Sequence, residues 1–437
     1  MASRRSHLSP ETATRVQPPA IDRQRAVARS AQAAPPPSEL RPATRSFLFL
    51  QGPPGCLFRQ LGDAMIKRGI AVHRINLSGG DRYDWPKGAV NFTGRFSDWA
   101  VFLDRFIREQ EITDLLLFGD CRPYHVTAHG IAASRGVRIH VLEEGYLRPN
   151  WMTLERDGVN ARSTLPRDKD WFVAQAQELP AEPGNPPVTA SFRRRARDSY
   201  WYYHHVFTGR LRYPHYHSHR ATPILKEGVG WLWRLATNKR RAAAAEKTLA
   251  DLADKPFFLL PLQLSDDFQI KAHSSFPNMQ SAAKYVVESF AANAPADLKL
   301  LIKAHPLDSS FFNWRRFFAS QADRLGLTGR LYYVDGGDLD TMARLSKGMV
   351  CVNSTSATLA LQHDRPVCAI GEAIYDIPGL THQGHLDSFW SIPAPPEPGL
   401  YAAFRRVLVD RCLVRGGLAS QSAVRTLIAS MLERLGC

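Results

Sequence analysis

Apolar residues along this chain arrive in strand-length bursts, and amphipathic stretches of helical period lie between them. "RSFLFLQG" opens the pattern at residue 45 and ends in glycine; "CLFRQLGDAMIKRG" follows with apolar positions three and four apart. The alternation continues through "IAVHRIN", "SDWAVFLDRFIREQE", "ITDLLLFGD", "YHVTAHGIAASRG" and "VRIHVLEEG". Short strands alternating with helices predict parallel βαβ units. The rhythm lapses between 171 and 254, a stretch rich in Pro, Arg, His and aromatics that turns helical at "VGWLWRLATNKRRAAAAEKTLADLA". It returns with the strands "KPFFLLPLQ", "LKLLIKAHP", "RLYYVDGG", "GMVCVNS" and "PVCAIG". The expectation is an α/β protein with two Rossmann-like, doubly wound domains facing a cleft, at 46–170 and 255–395. A helical linker at 171–254 and a C-terminal helical segment at 396–437 complete it. Residues 1–45 show no apolar period; their Ala/Pro/Arg/Ser composition predicts a disordered tail.

Composition narrows the classes. No apolar run approaches the ~20 residues that cross a bilayer. A net charge of +15 over 437 residues favours anionic partners: nucleic acid, an anionic membrane surface or an anionic substrate. Six cysteines without CxxC spacing, several inside apolar strands, read as reduced thiols and not as a disulfide or zinc framework. No signal peptide is recognisable at the N-terminus, so a cytoplasmic location is expected.

Candidate chemistry belongs at the carboxyl ends of parallel strands, which face the ligand crevice of an open sheet. "VRIHVLEEGYLRPNW" ends a buried strand in Glu143 and Glu144. Neighbouring strand residues face opposite ways; Gly145 frees the turn, which places Glu144 towards the crevice and leaves Glu143 to a local Arg or amide. "QGPPG" (Gly52, Gly55) lacks the Lys-Ser/Thr of a nucleotide loop and reads as a tight turn. In "VCVNSTSATLAL", Ser354, Thr355 and Ser356 sit where hydroxyls and free amides hold a phosphate, with a plain N-cap as the other reading. "IKAHP" puts Lys303 and His305 at another strand end, before Pro306. A DxD, Asp338-Leu339-Asp340, precedes a helix and is better explained by Asp338 as its N-cap, which favours chemistry without a metal.

The runs "FLQGPPGCLFRQL", "VHRINLSGGD", "LFGDCRP", "HVLEEGYLRPNWMTLE" and "PLQLSDDFQI" resemble the capsule polysaccharide biosynthesis and export proteins of the KpsS/LipB type, bacterial β-Kdo glycosyltransferases. The resemblance spans about 46–390. It implies a GT-B-like, metal-independent, retaining enzyme that takes CMP-Kdo as donor, needs no further cofactor, and adds a first β-linked Kdo to a lysophospholipid such as lyso-phosphatidylglycerol. Its acidic-acidic-Gly motif falls on Glu143-Glu144-Gly145 and its His-Pro motif on His305-Pro306. By that carry-over Glu144 is the catalytic carboxylate, with Glu143 beside it, and His305 engages the CMP phosphate. Lys303, Pro306, Asn353, Ser354, Thr355, Ser356, Gln263, Asp267 and Glu372 make up the donor side. Gly52, Gly55, Asn76, Asp120, Arg122, His125 and Arg148 make up the acceptor side.

The block "SFRRRARDSYWYYHHVFTGRLRYPHYHSHR" interleaves Arg with aromatics. A lipid acceptor makes membrane docking the preferred reading, at the inner face of the inner membrane, with other capsule assembly proteins as further partners. The rivals are a non-catalytic export scaffold, a CMP-sialic-acid-type transferase acting on a glycan, and a nucleic-acid binder. The last lacks any recognised motif to go with its charge.

Overall fold

The structure is a computed structural model. It describes residues 45–437 except 181, 183, 185–186, 190, 219–223, 266–267, 307 and 309–311, and omits the side chains of 192, 224–229 and 231–235. The tail expected at 1–45 therefore falls almost wholly outside the described residues.

The apolar bursts become two sheets. The first contains β1 (Ser46–Phe49), β2 (Ala71–Asn76), β3 (Val90–Asn91), β4 (Asp114–Phe118), β5 (Arg138–Glu144), β6 (Trp151–Arg156) and β12 (Leu413–Arg415). Their order is β12-β6-β5-β4-β1-β2-β3, and β5 to β3 run parallel. The second sheet, all parallel, contains β7 (Phe257–Pro261), β8 (Lys299–Lys303), β9 (Leu331–Val334), β10 (Gly348–Cys351) and β11 (Val367–Ala369) in the order β11-β10-β7-β8-β9. Each is a doubly wound sheet whose order reverses beside its first strand, between β1 and β4 and between β7 and β10. Ligands bind at such reversals in open α/β sheets. This is the GT-B-like pair of Rossmann-type sheets.

Both faces of each sheet are covered, which is why the strands read as unbroken apolar runs. Leu48, Leu115, Leu117 and Val141 pack against Trp99 and Leu103 of the helix Trp99–Glu109. The alternate residues Phe47, Phe49, Leu116 and Leu142 pack against Leu57 and Leu61 and against Val424, Leu427 and Met431. The last three belong to the helix Gln421–Leu435.

That helix, with β12, departs from the expected layout. The segment 396–437 is not only helical: β12 pairs antiparallel with β6, and the final helix covers the first sheet. β6 itself was hidden in "NWMTLER", where it folds back antiparallel on β5.

The stretch expected to be a linker also divides. Ala245, on the helix Ile224–Asp251, joins the core of the second sheet, and Arg241 pairs with Asp335 at 3.3 Å. The helix Phe192–Thr208 instead lies across the carboxyl edge of the first sheet. Its inner side meets Glu144 through Arg195, Gly55 beside Asp198, and Asp81 through Tyr202. "LSGGD" is built for that approach. A Cβ on Gly79 would run into the His205 carbonyl oxygen, and one on Gly80 would sit 2.8 Å from the Tyr202 oxygen. Ser78 caps the short helix Gly79–Asp84 through the Asp81 amide at 3.2 Å.

Substituting Gly79→Val should therefore prise the crossing helix off the sheet edge. Limited trypsin digestion is expected to cut faster at Arg193–Arg197 in the variant; an unchanged cleavage rate would show that the close backbone approach is dispensable.

Candidate active site

Glu144 ends β5 opposite Met152, and Gly145 turns the chain where a Cβ would collide with the Trp151 carbonyl. The Glu144 carboxylate lies between two arginines, Arg148 at 3.9 Å and Arg195 of the crossing helix. Burial pushes its pKa up, but Arg148 and Arg195 outweigh burial and hold it below the usual range. Glu144 is thus a fixed anion, suited to stabilising a cation or attacking one, and unsuited to donating a proton. The local arginines expected for Glu143 are found at Glu144, which was expected to face an open crevice. Glu143 lies on the opposite face of β5. Its charge, after burial and together with Asp120, keeps the Cys121 thiol protonated.

The two halves are bonded to each other beside this strand end. Asn160, in the left-handed region at φ 55°, donates from Nδ2 to the Asn353 carbonyl at 3.3 Å and accepts the Ile374 amide at 3.1 Å. Its own amide donates to the Tyr146 hydroxyl, and the Thr358 hydroxyl donates to the Tyr146 carbonyl at 3.3 Å. Arg167 donates to the Ala373 carbonyl. Cys121 Sγ, just past β4, lies 3.6 Å from His273 Nε2 of the other half. Burial and the nearby Arg162 keep His273 neutral.

On the second half, Ser354, Thr355 and Ser356 follow β10 and are partly exposed. Ser354 Oγ lies 2.8 Å from Ser356 Oγ and accepts the Ser356 amide at 3.2 Å. The helix behind them, Ala357–Gln362, has six residues; Ser356 makes no side-chain cap bond, and the capping contact is the one from the Ser356 amide to Ser354 Oγ. Tyr375 fixes the loop by donating to the Ser354 carbonyl at 2.7 Å.

Asn353 and Gln263 do not present themselves to a ligand as expected. Across the reversal of the sheet Gln263 Nε2 donates to Asn353 Oδ1 at 2.9 Å and the Asn353 backbone amide donates to Gln263 Oε1 at 3.2 Å, while Asn353 Nδ2 donates to the Gln269 carbonyl at 2.9 Å; both residues are buried. Lys303 is buried as well, donating to the Ala304 carbonyl at 3.3 Å. His305 and Pro306 stand at the end of β8, two strands from β10 and so roughly 10 Å along the sheet edge. Glu372 is exposed; its amide donates to the His273 carbonyl at 2.8 Å. Asp267 lies outside the described residues. Asp338 is a helix cap, accepting the Thr341 amide at 2.8 Å.

Most of the expected acceptor-side residues turn out to be framework. Asn76 is buried, donating to the Trp85 carbonyl and accepting from Arg74. Asp120 is buried near Arg162, at 3.8 Å. Arg122 donates to Gln51 at 3.1 Å and lies over the Phe118 ring. His125 is fully buried beside the Gly119 carbonyl, and burial holds its pKa down to about 3. Arg148 serves Glu144. The Gly55 amide donates to Asp84 at 2.9 Å, and the loop from Gly52 closes over a cavity of about 10 Å³, room for a water and not for a phosphate.

Arg195, Asp84, Arg162, Cys121 and His273 escaped the sequence reading. "GDCRP" marked the Cys121 loop, but nothing periodic singled out His273. Arg195 lay in a block read as surface.

A family model described as capsule polysaccharide biosynthesis protein matches residues 113–418. The chain is 36% identical over 389 residues to the capsule polysaccharide modification protein LipB of Neisseria meningitidis serogroup B, spanning 87% of this chain and 93% of that one. It is 33% identical over 374 residues to the capsule polysaccharide export protein KpsS of Escherichia coli, spanning 85% and 96%. Among solved structures, the β-Kdo 2,7-transferase KpsC of Thermosulfurimonas dismutans matches at 12% identity with a TM-score of 0.40, spanning 88% of this chain and 99% of that one.

Asp84 offers a test of the covered sheet edge. Burial first, then the charges of Asp81 and Asp198, raise its pKa from 3.8 to about 8. Its proton is bound more tightly in the folded state, so stability falls as pH rises between those values. Asp84→Asn keeps an acceptor for Gly55 and removes the titration. Thermal melts at pH 5 and pH 9 should show a smaller loss on going alkaline for the variant than for the parent; equal losses would mean Asp84 is not sealed beneath the crossing helix.

Proposed function

The chain belongs to the capsule polysaccharide biosynthesis protein family, and from that premise we propose that it is a glycosyltransferase moving a β-Kdo residue from CMP-Kdo to a lysophospholipid. Lyso-phosphatidylglycerol is the proposed acceptor, and the product starts the lipid linker of a capsule. The observation that supports the reading is the joined seam: Thr358 bonds Tyr146 and Asn160 bonds Asn353, so the strand end that carries Glu143 and Glu144 is tied to the half that carries the hydroxyl-rich loop.

In this reading Ser354, Thr355 and Ser356 hold the CMP phosphate, and Lys303 and His305 supply positive charge along the same edge. Protein cations take the place of a divalent ion. The bond from the Kdo anomeric carbon to the phosphate oxygen breaks, and CMP leaves with the electron pair. The Glu144 carboxylate faces the developing oxocarbenium ion. It either forms a glycosyl ester, which the acceptor hydroxyl then displaces, or shields one face while the hydroxyl enters from the other; in both routes the hydroxyl proton passes to the released CMP phosphate or to solvent, and both serve retention. Arg148 and Arg195 keep Glu144 ionised. A second reading gives the reacting role to Glu143, because that acid shares its face with Cys121, which touches His273 across the seam.

The lipid acceptor calls for a peripheral position at the inner face of the inner membrane, where other capsule assembly proteins would be neighbours. Among the described residues no helix is long and apolar enough to cross a membrane. The outer side of the helix Phe192–Thr208 supports docking. Arg193, Arg197, Tyr200, Trp201, His204 and Phe207 are exposed along it, a cationic-aromatic ridge suited to anionic headgroups.

Incubation with CMP-Kdo and a fluorescent lyso-phosphatidylglycerol, followed by mass spectrometry of the lipid, should show the added Kdo; no mass gain under any condition would sink the activity. Glu144→Gln is expected to lose about 10³-fold in turnover with CMP binding intact, and Glu143→Gln to stay within about 10-fold. The reverse pattern would transfer the role to Glu143. His305→Ala should slow transfer mainly at low CMP-Kdo by raising KM, so an unchanged rate there would remove His305 from donor binding.

A further inference from the structure

We infer that the groove where the crossing helix ends is a binding site for the phosphate headgroup of an anionic lipid, separate from the edge at which transfer is proposed. The groove holds about 350 Å³ and lies between the helix Gly79–Asp84 and the turn Gly209–Tyr213.

Its walls are held by contacts already present. Gly209 lies against Gly79 so closely that a Cβ on Gly209 would sit 2.8 Å from the Gly79 Cα. On one side the Tyr83 ring stacks on His205, centroids 4.1 Å apart and 16° from parallel. A site with backbone-to-backbone walls is formed before its ligand arrives and costs little to order.

Its charge has one sign. Arg82 and Arg212 line the groove, and among the described residues no carboxylate does. Guanidinium groups suit phosphate, whose oxygens accept paired N–H donors. The lining also carries exposed apolar side chains: Leu211 is 98% exposed and Tyr83 45% exposed, and both would leave water on contact with acyl chains. A cationic hollow with apolar side chains in its lining matches a lipid headgroup better than a free anion, which has no use for them. The groove also continues the ridge of Tyr200, Trp201 and His204 along the same helix.

The site stands apart from the chemistry. Arg195, which holds Glu144, and Gly209, at the groove, are fourteen residues apart on this element, or about 20 Å at the rise of an α-helix. A lipid seated here would be a tether that sets the angle of the sheet edge to the membrane, not the acceptor. The inference rests on the proposed membrane docking and not on the proposed transfer.

The test uses the full chain, flotation with phosphatidylglycerol-containing vesicles or pure phosphatidylcholine vesicles, and the double variant Arg82→Gln/Arg212→Gln. The variant should bind anionic vesicles about 30-fold more weakly, bind neutral vesicles as the parent does, and retain its melting temperature and its transfer to a short-chain soluble acceptor. Unchanged binding to anionic vesicles overturns the site. So does arginine-dependent binding of inorganic phosphate with no vesicle binding, which would make the ligand a free anion. A parent that binds no vesicle overturns both the site and the docking while leaving transfer standing. Arginine-dependent vesicle binding by a protein that transfers no sugar supports the site and refutes only the enzyme.

Discussion

Asn160 is the residue on which the arrangement of the two sheets turns. Held at a positive φ, it offers its amide to Tyr146, its side-chain nitrogen to the Asn353 carbonyl and its side-chain oxygen to the Ile374 amide. Groups that would otherwise be orphaned at the ends of β5, β10 and β11 are satisfied together. Buried polar groups left without partners are costly, so the bonds that join the halves also fix where the acid and the hydroxyls lie. Tyr146 extends the arrangement: its hydroxyl donates to Glu155, which Ser163 also bonds, and its carbonyl accepts from Thr358.

The crossing helix Phe192–Thr208 is the second determinant. Its inner side closes the first sheet's carboxyl edge from Glu144 to Gly79, and its outer side carries the exposed arginines and aromatics. One element therefore links the charge state of the proposed catalytic acid to the proposed membrane face. Of the strand-end residues expected to bind acceptor, Gly55 lies against Asp198 of this helix, while Gly52 faces Phe58 and Asn76 bonds Trp85 and Arg74. Asp81 shows the extent of the closure: it accepts from Gln51, Tyr202, Ser78, Arg74 and the Leu77 amide.

Much of this was legible along the chain because parallel sheets have a loud local signal. "FLFL", "DLLLF" and "FFLLP" are strands buried on both faces, and apolar runs of that length between helical periods admit few other folds. Asp338 as a cap was equally local, since the cap and the amide it accepts from are three residues apart. β6 was lost because "WMTLER" runs straight on from a motif read for its chemistry. β12 was lost because a three-residue edge strand owes its existence to β6, more than 250 residues earlier.

The sequence by itself determined the strand-and-helix alternation, the two sheets and the strand ends at which chemistry had to be sought, because these follow from side-chain period and backbone hydrogen bonding within short spans. Only the tertiary structure decided which strand-end residues stay open. Gln263 and Asn353 are neighbours through sheet order, not through spacing, and bond each other and the Gln269 carbonyl. Glu144 is held ionised by Arg148, four positions on, and by Arg195, 51 positions away, which only packing brings to it. A carboxylate's role depends on the charges within a few ångströms of it, and those neighbours are assembled by packing across the fold.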